Sequence, residues 1–136
     1  MGENDYKMEN LKTTIEHGIY NVDHSILHRQ VVEVATDWFL DKYNMQDPEM
    51  TIKMNLTDSK NLKCWGESFQ VDYSLKIYSV SIATDQYLRD FLATLMHELV
   101  HVYQWVRGEW EDDGEKEAED KQYELADEFW KEGLIR

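Results

Sequence analysis

The chain has 136 residues, a length that suits one domain around one core. Its 42% hydrophobic and 12% aromatic content are globular values that allow a packed interior. A formal charge of −14 repels phosphate backbones and anionic lipid, so neither a nucleic-acid nor a membrane partner is expected. No run of 18 apolar residues is present, and the first residues lack the charged-then-apolar pattern of a secretory signal. Cys64 stands alone, which excludes an internal disulfide and favours a reducing, cytoplasmic location.

Residues 1–22 are polar with scattered apolar positions, Met8, Leu11 and Ile15, and a break at Gly18, compatible with a short helix. Residues 24–44 read as an amphipathic helix in which Leu27, Val31, Val34, Ala35, Trp38 and Phe39 follow helical spacing. Asp23 is placed to cap it, and Asn44 with Asp47-Pro48 stops it. His24 and His28 lie four apart near its start with no carboxylate between them, and read as surface or capping residues.

After Pro48 the period changes to two. Met50, Ile52, Met54 and Leu56 alternate with polar residues as in a half-buried strand, and residues 57–61 read as a turn. Phe69, Val71, Tyr73, Leu75 and Ile77 alternate next, and Tyr78, Val80 and Ile82 continue on the opposite parity. Two strands are therefore expected, with a turn or bulge near 74–77 and Gly66 breaking the first of them.

Residues 85–107 form a second strong helix between a candidate cap at Thr84 and a stop at Gly108. Leu88, Phe91, Leu92, Leu95, Leu99, Val102 and Val106 give it a wide apolar face. An acidic turn follows, then a last helix at about 114–132 with Ala118, Gln122, Leu125, Ala126 and Phe129 on its inner face. The layout is α+β: an N-terminal backing helix, a small sheet of three or four strands, antiparallel or mixed, and two C-terminal helices. No repeat or linker divides it, so residues 1–136 read as a single domain.

His97-Glu98-Leu99-Val100-His101 has the HExxH spacing of a helical zinc site. Two imidazoles four residues apart sit about 40° apart on a helix, so both can reach one ion. Glu98 lies beside them, where a carboxylate can act as general base. Polar groups inside so apolar a helix need partners, and a metal supplies one for all three.

A catalytic zinc takes three protein ligands and keeps one open position. Gln104 and Arg107 stand where a metzincin would carry Gly and His, which excludes that class. On the last helix Glu115 points within about 60° of Ala118 and about 20–40° of Gln122 and Phe129, towards the core. Glu119 lies about 40° from Glu115 and also reaches inward, whereas Glu117, about 160° away, faces solvent. Asp112 and Glu115 also have capping-box spacing, the competing structural use of Glu115. Helix geometry therefore ranks Glu115 first and Glu119 second as the third ligand.

HELVH, a turn, and Glu115-Lys116-Glu117-Ala118-Glu119 resemble the gluzincin clan of zinc metallopeptidases, in particular its minimal single-domain members. The resemblance implies a zincin-like fold, with Glu115 as third ligand on a "glutamate helix" and Ala118 as the small residue that lets the helices approach. Position 119 of that pattern usually holds an Asp that bonds a ligand His; here it is Glu119. A second resemblance, to SprT-like proteins, rests on Tyr78-Ser79-Val80-Ser81-Ile82 before the HExxH helix and on Trp105 after it. That family places a His-Gly ligand where this chain has Asp113-Gly114, so this resemblance implies Asp113 as a third candidate ligand after Glu115 and Glu119.

The expected function is that of a zinc-dependent metallopeptidase. His97, His101 and Glu115 hold Zn²⁺, Glu98 is the general base for hydrolysis of a peptide amide by a zinc-held water, and a strand edge within 69–82 pairs with extended substrate. Tyr20, Tyr73, Tyr78, Tyr103 and Tyr123 are all candidates for assisting the oxyanion. The partner is a peptide or protein, with a bias to basic segments, and a monomer is favoured. The alternative is a non-catalytic acidic binding module with a structural or relic metal site, against which the intact Glu98 argues.

Overall fold

A parallel pair of apolar strands forms the centre of the molecule, and everything that carries the site is hung from it. The computed structural model describes residues 11–18 and 26–135. Its elements are β1 (Thr14–His17), α1 (Ile26–Lys42), β2 (Thr51–Thr57), α2 (Ser59–Leu62), β3 (Gly66–Asp72), β4 (Ile77–Ala83), α3 (Leu88–Arg107) and α4 (Glu115–Lys131). The architecture is α+β with a mixed sheet in the order β1-β2-β4-β3. Strands β1, β2 and β4 run parallel, and β3 is the antiparallel edge.

Register decides which face is buried. Ile52 lies opposite Tyr78, Met54 opposite Val80 and Leu56 opposite Ile82, and all six are buried. Because side chains alternate across a strand, this matched parity gives one apolar face. The core cluster joins it to Leu95, Leu99 and Val102 of α3, to Val31, Ala35 and Phe39 of α1, and to Ala118, Leu125 and Phe129 of α4. Each such aliphatic or aromatic side chain contributes roughly 1.5–3 kcal/mol on burial. The N-terminal backing helix, the strand after Pro48 and the two C-terminal helices thus stand where hydrophobic period placed them.

Several boundaries differ from expectation, each for a local reason. The short helix expected within 1–22 is replaced over Thr14–His17 by β1, whose flanks bond β2: Thr14 N donates to Met50 O and Gly18 N to Met54 O. The turn expected at 57–61 winds into α2 because Asp58 accepts at Oδ1 from Asn61 N, a side-chain N-cap. Gly66 opens β3 rather than breaking it. The parity switch is a tight turn over 73–76 in which Lys76 takes a left-handed φ of 53°. Thr84 does not cap α3: its N–H still extends the sheet to Thr57 O, and the helix starts at Leu88 with no side-chain cap. Val106 and Leu88, expected on the apolar face of α3, are 44% and 38% exposed at its two ends. Asp23, His24 and Tyr20 lie outside the described residues. His28 packs edge-on against Phe91, with ring centroids 5.1 Å apart.

One polar tie closes the sheet's end. Asp47, between α1 and β2, accepts from Lys76 Nζ at 2.9 Å and from Glu49 N at 2.9 Å. These bonds, the one from Lys76 first, hold its carboxyl below the ordinary Asp value. A depressed carboxyl stabilises the fold above its unfolded pKa of about 3.9, and the contribution is lost as pH falls through the folded value. Asp47→Asn should therefore lower the urea midpoint slightly at pH 7 and converge with the parent in acid, once the Asp47 carboxyl of the parent is protonated. Parallel acid-unfolding curves would show that the tie contributes nothing.

Candidate metal centre

Three ligand atoms from two helices converge at the middle of α3. His97 Nε2 lies 3.1 Å from Glu115 Oε2, and His101 Nε2 lies 2.7 Å from Glu115 Oε1. His97, His101 and Glu115 form a group able to hold a metal ion, with one ligand atom from each within 4.8 Å of the others. Four ligands at about 2.0–2.1 Å from one zinc would stand ~3.4 Å apart, so only small shifts separate these positions from a coordination shell.

The turn between the helices sets this distance. Gly108, at φ 81°, caps α3 by donating to Gln104 O, and Gly114, at φ 78°, stands at the start of α4. A Cβ on Gly114 would sit 2.2 Å from Gln104 Oε1, so a side chain there would push the Gln104 amide from its place and strain the backbone as well. Asp113, a candidate ligand in the sequence, instead accepts from Glu115 N at 3.0 Å and orients the first turn of α4. The competing capping box from Asp112 to Glu115 is not formed, since the Glu115 amide bonds Asp113, and the Glu115 carboxylate meets the histidines. Glu119 is exposed and outside the ligand group. Ala118 is fully buried against α3, as its small size permits.

Each imidazole is held from behind by an amide. His97 Nδ1 is 2.7 Å from Gln122 Oε1, and His101 Nδ1 is 2.9 Å from Gln104 Oε1. For His101 the tautomer follows from the network. Gln104, only 3% exposed, uses its NH₂ on Gly114 O and Glu117 Oε1, both at 2.9 Å. Its oxygen must then face Nδ1, so Nδ1 donates to it and Nε2 is the nitrogen turned to Glu115. With a neutral imidazole, the Nε2 lone pair and the Glu115 oxygen 2.7 Å away would repel, and a cation held between them removes that repulsion. The donor set fits a dication.

Glu117 corrects an expectation. It does not point into solvent but across to α3, accepting from Arg107 Nη2 at 2.9 Å as well as from Gln104. The Arg107 guanidinium, first among these partners, holds its carboxyl down to about 2. Arg107, Glu117 and Gln104 thus form a chain that ends on His101.

Glu98 is buried but outside the ligand group. Ser68 Oγ of β3 donates to its Oε1 at 2.7 Å. Burial pushes the Glu98 carboxyl up, against the opposing pull of the Ser68 bond and the two imidazoles. The close approach of β3 depends on Gly66, where a Cβ would lie 2.5 Å from Thr94 Cγ2 and 3.3 Å from Glu98 Oε2. A cleft of about 980 Å³ opens from Glu98 and His97 along α3. Of the tyrosines considered for the oxyanion, Tyr123 lines this cleft, whereas Tyr73 is 78% exposed in a turn and Tyr103 packs on Tyr43.

Ser68, Gln104 and the role of Gln122 are not apparent from the motif. Gln104 was within reach of a pattern argument: it follows His97 by seven residues and His101 by three, on the same helical face. Ser68 carried no such signal, because its partner is thirty residues away on another element.

Comparison of the chain with models of known families, with curated proteins and with solved structures finds no match.

Removing the amide behind His101 should weaken the site without removing a ligand. Gln104→Leu is expected to reduce zinc affinity about 10–100-fold in competition with a chelator of known strength. Unchanged affinity would leave Gln104 with a packing role only.

Proposed function

We propose that the chain is a zinc-dependent metallopeptidase arranged like a minimal gluzincin, with His97, His101 and Glu115 as zinc ligands and Glu98 as general base. The observation that carries this reading is the position of Glu98. It is a buried carboxylate beside two convergent imidazoles and outside their ligand set, and it opens on a cleft. A site whose only purpose was structural would have no use for such a group. Two imidazoles and one carboxylate are a donor set that suits zinc, and three protein ligands leave a position open.

A zinc ion held there would act as a Lewis acid on a carbonyl and make water a nucleophile near neutral pH. The chain's own groups do the rest. Glu98 accepts the proton of the attacking water and returns it to the leaving amine. Ser68 fixes the Glu98 carboxylate through Oε1, so that Oε2 is the oxygen left for this exchange. The amide groups of Gln104 and Gln122 orient the two imidazoles. Strand β3 is paired only with β4 among the described residues, and it lies against Glu98. Its free edge suits an extended peptide added as a further strand.

The test is metal analysis joined to proteolysis. Purified protein should carry about one zinc ion per chain, and His97→Ala or Glu115→Ala should lose it. Glu98→Gln should keep the metal and lose hydrolysis by about 10²–10⁴-fold. Hydrolysis that survives Glu98→Gln would sink the mechanism, and full zinc occupancy in Glu115→Ala would remove Glu115 from the shell.

A further inference from the structure

The cleft beside the metal centre has a chemistry that the catalytic groups do not use. From His97 and Glu98 it follows α3 back towards its N-terminus, past Thr94 and Asp90, to the 85–87 segment. Its volume of about 980 Å³ is that of a site for a side chain together with the peptide that bears it. Among the described residues that line it there is no Lys or Arg, whereas Asp85 and Asp90 supply negative charge beyond Glu98. Tyr123 donates to Asp90 Oδ1 at 2.6 Å and so orients that carboxylate. An ionised carboxylate offers about four acceptor positions, so one such bond leaves ample capacity. Arg89, 4.5 Å over the Tyr123 ring, spends its hydrogen bonds on Asp127 at 3.0 Å and meets Asp90 only through space.

Two large rings complete the lining. Trp65 and Tyr87 are 55% and 85% exposed in the same cleft. Exposed rings beside an oriented carboxylate suit a long amphipathic cation, with its stem on the rings and its head on the oxygens. Resting on the peptidase reading above, we propose that this cleft selects substrates with a lysine or arginine side chain next to the scissile bond. The cation binds Asp90, and the stem lies against Trp65 and Tyr87.

Binding and cleavage test this separately. Alanine-rich peptides that differ only in one arginine or citrulline are titrated into zinc-loaded Glu98→Gln protein, and the bonds that the parent protein cuts in denatured casein are mapped by mass spectrometry. The arginine peptide should bind about tenfold more tightly than the citrulline peptide, and the cut bonds should be enriched in adjacent Lys and Arg. Asp90→Asn, which retains an acceptor for Tyr123, should reduce the ratio below about threefold. Asp120→Asn removes the same charge from an exposed position outside the cleft and should leave the ratio unchanged. A ratio near one, or an equal loss in both variants, overturns the proposal. Arginine preference that depends on Asp90 but comes without hydrolysis would overturn the peptidase reading alone. Hydrolysis with no residue preference would overturn the cleft assignment alone.

Discussion

The convergence of two imidazole nitrogens on one carboxylate is the constraint on which the rest of the structure turns. Helix α3 is apolar along most of its length and lies inside the core, where an unpartnered polar group is costly. His97 and His101 resolve that conflict by meeting Glu115 on one side and an amide oxygen on the other. The arrangement needs the first turn of α4 to lie beside the His97–His101 stretch of α3. Gly108 and Gly114, both at positive φ, make the turn, and Arg107 and Glu117 clamp it from outside.

The sheet takes part through its edge. A central strand would have both backbone edges paired, but β3 lies at the end of the order β1-β2-β4-β3. Its antiparallel course brings Gly66 and Ser68 over the middle of α3, and the missing Cβ at Gly66 lets the backbone come close. The same strand therefore orients Glu98 and, with Trp65 just before it, forms part of the wall of the cleft. Acidity is distributed to match: basic side chains near the site are tied to carboxylates elsewhere, Arg107 to Glu117 and Arg89 to Asp127. The cleft keeps its negative charge. Among the described residues no helix is long and apolar enough to cross a membrane.

Much of this was legible in the residues because it depends on period. The alternation Ile52, Met54, Leu56 and the helical spacing of Leu92, Leu95, Leu99 and Val102 follow from backbone geometry alone, as does the pairing of His97 with His101 on one face. Glu115 was ranked ahead of Glu119 by the angle at which it leaves its helix, and it is the one placed beside the histidines. Period failed where a local hydrogen bond outweighed it. Asp58 turned an expected loop into a helical turn, and Asp113 rather than Asp112 accepts from the Glu115 amide.

Sequence by itself determined the α+β layout, the apolar faces and the three side chains of the HExxH unit, since each is set within a few residues along the chain. Only the tertiary structure decided that β1 is a strand, that Ser68 reaches Glu98, that Gln104 locks His101 and that Asp90 and Trp65 share a cleft with them. Those contacts join residues far apart in the chain or on different elements, and no periodicity records which distant edge or helix end a given side chain will meet. Glu115 lies between the two cases. Its direction was readable from its own helix, but its distance from the histidines depended on the fold of a seven-residue turn.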